Sequence, residues 1–184
     1  MTVSAHTRIR AAESDDAAGL LAVYDPRTPR AALLDIRREP VMPTCDELAE
    51  MLSGKEAARG QFYAVEDGTG ALLGFCGLRG VNQESLFCEV MALFLDEESH
   101  HSPAADAVAD FLLERAFVRF NLQKVIATCL ETEKGLRELL VRAGFESAGV
   151  QREVLYSGGR RLDLESLTRR RPETPPAGTW SRGG

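Results

Sequence analysis

The chain has 184 residues, with a 44% hydrophobic and 27% charged composition and a net charge of −6. That length suits one domain with a sizeable core and is short for two. The tail from Arg169 carries four arginines against Glu173, which leaves Met1–Thr168 at −9; such a body repels a phosphate backbone and excludes nucleic acid as the main partner. No apolar run approaches the roughly 20 residues that span a bilayer. Met1–Arg10 also lacks the apolar stretch of a signal peptide. The expectation is a cytoplasmic protein with no membrane partner.

Thr7–Ala11 reads as a short strand, and Ser14-Asp15-Asp16 offers a cap for a helix carrying Leu20, Leu21 and Tyr24. Residues 25–43 hold Pro26, Pro29, Pro40 and Pro43 and read as broken, with a short helix at Ala31–Arg38. Thr44 followed by Glu47 matches a capping box, so a helix is expected to about Ser53-Gly54. From Gln61 the pattern changes to strands. Gln61–Glu66 and Ala71–Arg79 form a hairpin across Asp67-Gly68-Thr69-Gly70, and Ser85–Leu95 is a third, apolar strand buried on both faces.

Ser102 caps the next helix and Pro103 suits its first turn, where a missing N–H costs least. Val108, Phe111, Leu112 and Ala116 give that helix an apolar stripe. Leu122–Cys129 is a further strand. A helix follows with Leu136, Leu139, Leu140 and Ala143 on one face and Gly144 as its stop. Phe145–Tyr156, the turn Ser157–Arg160 and Arg161–Leu167 close the body as a hairpin. Thr168 onward is rich in Pro, Gly and Arg, so the expected division is one domain over 1–167 and a disordered tail over 168–184 that includes Trp180.

The stretch Leu95–Ala105 resembles the segment where GNAT acyltransferases pass from their fourth strand to their third helix. Ala143-Gly144-Phe145 is similar to the end of that family's next helix. Arg152, Gly159-Arg160 and Asp163 resemble the closing hairpin of the branch that acetylates ribosomal-protein N-termini. That branch also opens with a strand like Ile9-Arg10. The resemblance covers about residues 7–167. It implies an α/β GNAT fold, a mixed sheet of about six to seven strands flanked by about four helices. It further implies acetyl-CoA as cosubstrate, transfer to an amine of a small molecule or peptide by direct attack, and a homodimer as a common assembly. The alternative is a domain of this fold that binds without transferring, or one adapted to another reaction in a specialised biosynthetic pathway.

In that family the fourth and fifth strands splay apart. The resemblance therefore implies that strand-edge amides at Leu93, Phe94 and Leu95 bond the pantetheine arm. It also implies that His100, His101, Ser102, Ala104 and Ala105 form the pyrophosphate turn. Aligned in this way, His100 takes the family's basic position and Pro103 its central glycine. Glu133 stands near an expected asparagine, and Leu140 at the tyrosine that often protonates the leaving thiolate.

Glu89 is the candidate general base. It is a carboxylate in the apolar run Leu86–Met91, where burial would raise its pKa, and the competing reading pairs it with Arg79. His100-His101 could bind phosphate or take part in acid–base work. With His6 remote and no cysteine nearby, no metal site is expected. Cys45, Cys76, Cys88 and Cys129 form no C-x-x-C pair and read as buried free thiols, and a nucleophilic role for Cys88 or Cys129 lacks a base partner. Tyr156 reads as a half-buried strand residue, with proton donation as its rival role.

Overall fold

The structure, a computed structural model, describes residues 7–23, 44–53, 61–94, 96 and 98–173. The helix expected at 31–38, Leu95 and Trp180 lie outside the described residues. Seven strands form one sheet in the order β1-β2-β3-β4-β5-β7-β6. They are β1 (Arg8–Ala11), β2 (Gln61–Glu66), β3 (Leu72–Asn82), β4 (Phe87–Phe94), β5 (Lys124–Leu130), β6 (Glu146–Ser157) and β7 (Arg160–Arg170). Four helices are described: α1 (Ala17–Val23), α2 (Cys45–Ser53), α3 (Pro103–Glu114) and α4 (Lys134–Arg142). The expected mixed sheet with about four helices is thus the observed one.

Local chemistry sets most of these boundaries. Thr44 and Glu47 make the reciprocal capping box ahead of α2, at 2.8 and 3.2 Å. The Asp67 carboxylate accepts from the Thr69 hydroxyl at 2.6 Å and from the Ala71 and Thr69 amides; these bonds hold the β2–β3 turn and keep its pKa below the usual carboxylate range. Ser102 is the N-cap of α3 and Pro103 its first residue. Gly144 ends α4 at φ +79, where a Cβ would meet the Arg169 guanidinium at 3.4 Å.

Two strand ends differ from expectation. Residues 83–86 form a turn rather than the start of β4, because the Asn82 side chain accepts the Ser85 amide at 2.7 Å. The last strand also continues past Leu167. Thr168, Arg169 and Arg170 ladder against Ile126, Val125 and Lys124, so backbone pairing orders three residues that composition assigns to the tail.

Apolar faces divide along β-strand alternation. Cys76, Leu78, Cys88, Val90, Val125 and Ala127 join α3 and α4 in the larger core. Ala64, Phe75 and Leu93 join α1 and α2 in a smaller one on the opposite face. Every strand pair is antiparallel except β4–β5, which is parallel.

Candidate active site

The β4–β5 ladder is short. It pairs Phe87, Cys88 and Glu89 with Lys124, Val125 and Ile126 and then stops, although β4 continues to Phe94 and β5 to Leu130. Past that point the two strands diverge, and among the described residues the β5-facing edge of Val90–Phe94 has no strand partner. A cleft occupies the gap. Val90, Met91 and Ala92 line it from β4, Ala127 and Thr128 from β5, and Leu136, Leu139 and Leu140 from α4. Leu112 and Leu113 of α3 close the cleft on the α3–α4 face of the sheet.

Glu89 stands at the point of divergence on the α1–α2 face. Its surroundings are not the apolar pocket that its strand neighbours suggest. The register sets Arg79 directly opposite, and both carboxylate oxygens accept from the Arg79 guanidinium at 2.8 Å. The Thr128 hydroxyl donates to the same carboxylate at 3.3 Å, and the side chain keeps about a quarter of its surface exposed. The expected desolvation is therefore replaced by an ion pair at the edge of the cleft. Thr128 joins the carboxylate to the cleft wall; no motif marks it in the sequence, because a polar residue in a short strand also fits a solvated face.

The turn leading to α3 places its candidate residues as follows. His100 is buried at 6% exposure with its ring edge-on to Phe94 at 5.1 Å, so it packs under the turn and is not an exposed loop residue. His101 is half-exposed, 3.6 Å from Glu138 of α4. The Ser102 hydroxyl donates to the Ser99 carbonyl at 2.6 Å and accepts from the Ala105 amide at 3.3 Å. Ala104 and Ala105 are buried. Asp96 carries no sequence signal beyond its spacing to Ser99, which is that of a cap. Its carboxylate accepts the Ser99 amide and hydroxyl at 2.7 Å each, and these bonds hold it below the usual carboxylate range.

The remaining candidates are placed as follows. Leu93 packs its side chain into the smaller core, and Phe94 lies in the larger, so each offers the cleft its backbone alone. Glu133 precedes α4 and turns its carboxylate back to accept the Leu130 amide at 2.8 Å. Leu140 lines the cleft, where it supplies shape and no proton. Burial pushes the Cys88 thiol up to about 11, with the Glu89 charge adding to it, and pushes Cys76 up to about 12. Cys129 is buried too and Cys45 exposed. Thiol chemistry is therefore disfavoured at Cys88. Tyr156 is 70% exposed rather than half-buried.

A family model described as an acetyltransferase (GNAT) domain matches residues 6–146, most of the chain. The chain belongs to the GNAT acetyltransferases. Its chemistry is acetyl transfer from acetyl-CoA to an amine. Among solved structures, the GNAT chain is similar to a spermidine N-acetyltransferase from Vibrio cholerae in complex with CoA and spermine. The identity is 21% and the TM-score 0.75, over 89% of this chain and 95% of that one. It is equally similar to a probable acetyltransferase, at 20% identity and TM-score 0.75, over 92% and 95% of the two chains. These likenesses are of fold. No protein of curated function matches the sequence. Among the described residues no helix is long and apolar enough to cross a membrane.

Proposed function

We propose that this GNAT chain acetylates a primary amine on a small molecule or peptide, with the pantetheine arm of acetyl-CoA lying in the β4–β5 gap. The observation that carries the reading is the end of the ladder at Glu89–Ile126. It leaves backbone donors and acceptors of β4 facing an apolar cleft, and main-chain bonds of that kind can hold an extended amide-bearing arm. Leu93 and Phe94 would contribute through their backbone, and the turn at His101–Ala105 would border the phosphate end. An amine would approach the thioester from the α1–α2 face, where Glu89 and Thr128 stand.

Glu89 is proposed as the group that takes the proton from the attacking ammonium, directly or through a water, with Arg79 and Thr128 fixing its orientation. The amine attacks the acetyl carbonyl, the C–S bond breaks, and the CoA thiolate leaves. A peptide N-terminus is favoured as acceptor by one feature, the closing hairpin of the branch that acetylates ribosomal proteins. Here Arg152 pairs with Asp163 at 2.5 Å. A small-molecule amine is favoured by the fold likeness to a protein named as a spermidine N-acetyltransferase.

The test is CoA-thiol release from acetyl-CoA with a panel of polyamines, amino sugars and short peptides, and identification of the product by mass. A product that gains one acetyl group on nitrogen supports the reading. Thioester hydrolysis without any acetylated amine would overturn it. We extend the reading to a homodimer in which a second copy covers β6. Nearly all twelve residues of β6 are exposed, with Val150, Val154 and Tyr156 on the surface.

A further inference from the structure

The turn between β4 and α3 engages several of its own donors. Asp96 takes the amides of Ser99 and Glu98, the Ser102 amide goes to the Ser99 carbonyl at 3.1 Å, and the Ala105 amide goes to Ser102. Pro103 has no N–H. The side chains around the turn are also acidic: Asp96, Glu98 and Asp106 on the turn and α3, and Glu138 on the facing side of α4. A phosphate-bearing ligand arriving here meets partly engaged amides and acidic side chains, which weakens the helix terminus as an anion site.

The opposing charge comes from α4. Arg142, one turn beyond Glu138, reaches across to the start of α3. Its Nη2 donates to the His100 carbonyl at 3.0 Å and to the Asp106 carboxylate at 2.9 Å, and its Nε approaches the same carboxylate at 3.3 Å. Both side chains of this pair are well exposed, at 40% and 56%, and an exposed pair of this kind is weak and readily exchanged. A guanidinium has five N–H donors in a planar fork that matches phosphate oxygens. The bond to the His100 carbonyl anchors one arm of the fork at the turn.

We propose that Arg142 is the residue that holds the phosphates of CoA at the mouth of the cleft, releasing Asp106 and taking phosphate oxygens in its place. This rests on the reading of acetyl-CoA as cosubstrate. It also assigns Asp106 a role: it holds the guanidinium in position while the site is empty and competes with the ligand for it. Either the pyrophosphate or the ribose phosphate could be the group engaged, since both present the same anionic oxygens.

The experiment is titration calorimetry on the full chain with CoA, dephospho-CoA and pantetheine, for the unmodified protein and for Arg142→Gln, Arg142→Lys and Asp106→Asn. Arg142→Gln is expected to weaken CoA by on the order of 10- to 100-fold, the effect of losing a charge-assisted hydrogen-bond pair. Pantetheine, which has no pyrophosphate, should bind as before. Arg142→Lys should recover part of the loss, and Asp106→Asn should tighten CoA. A loss shared by dephospho-CoA assigns the pyrophosphate; a loss confined to CoA assigns the ribose phosphate. Unchanged CoA affinity in Arg142→Gln overturns the proposal, and so does an equal loss for pantetheine, which would mark Arg142 as a strut between α3 and α4. If the unmodified chain binds none of the three, the acetyl-CoA reading itself fails and this inference with it.

Discussion

Glu89 illustrates what a single residue reveals and withholds. A carboxylate between Cys88 and Val90 marks a position worth attention, and the sequence supports both a buried base and a cross-strand ion pair. The structure brings it to the edge of the cleft and gives it Arg79 and Thr128 as partners. The register that decides this depends on the β3–β4 pairing, a long-range fact that local sequence does not encode. Glu89→Gln is expected to lower kcat by about 100-fold or more, as for loss of a general base, with little change in the KM for acetyl-CoA. Steady-state rates equal to the unmodified enzyme's would remove Glu89 from the mechanism.

Asp16 gives a second prediction at this scale. Arg10 donates to its two oxygens at 2.7 and 2.8 Å, and that bonding holds the carboxylate below its ordinary range. A depressed carboxylate stabilises the fold above its unfolded pKa of about 4, and the contribution is lost as pH falls through the folded value. Thermal melts between neutral pH and acid should therefore fall more steeply for the unmodified chain than for Asp16→Asn. Parallel curves would show that the Arg10 pair contributes nothing to acid sensitivity.

Among elements, β4 matters most to the site. Its position against β3 is set by Gly74, where a Cβ would lie 2.2 Å from the Leu93 carbonyl oxygen and 2.8 Å from the Phe94 Cα. Both atoms are backbone, so no side-chain rotation relieves the contact. Gly74→Ala should cost about 1–3 kcal/mol, as overpacking does, and should weaken CoA by displacing the edge that faces the gap. A melt that matches the unmodified protein would contradict this. Helix and strand positions were legible in the sequence wherever a cap or a period marked them, as at Thr44, Ser102 and Gly144. The extension of β7 through Arg170 was not legible, because its order comes from pairing with β5 and not from its own composition.

Across the described residues, the strand and helix order was readable in the sequence, and the resemblance at Gly144-Phe145 and the closing hairpin pointed to the right fold. The pyrophosphate turn was legible only in part. Its departures at His100 and Pro103 were visible, yet the way Asp96 and Ser102 spend the local donors, and the reach of Arg142 from α4, depend on tertiary packing. The seven-stranded sheet sets the ladder break beside the Glu89–Arg79 ion pair and the cleft under α3 and α4. The most direct test of that arrangement is calorimetric titration of acetyl-CoA into the unmodified chain. One saturable event in the micromolar range is the predicted result; an absence of binding up to millimolar acetyl-CoA would contradict the account.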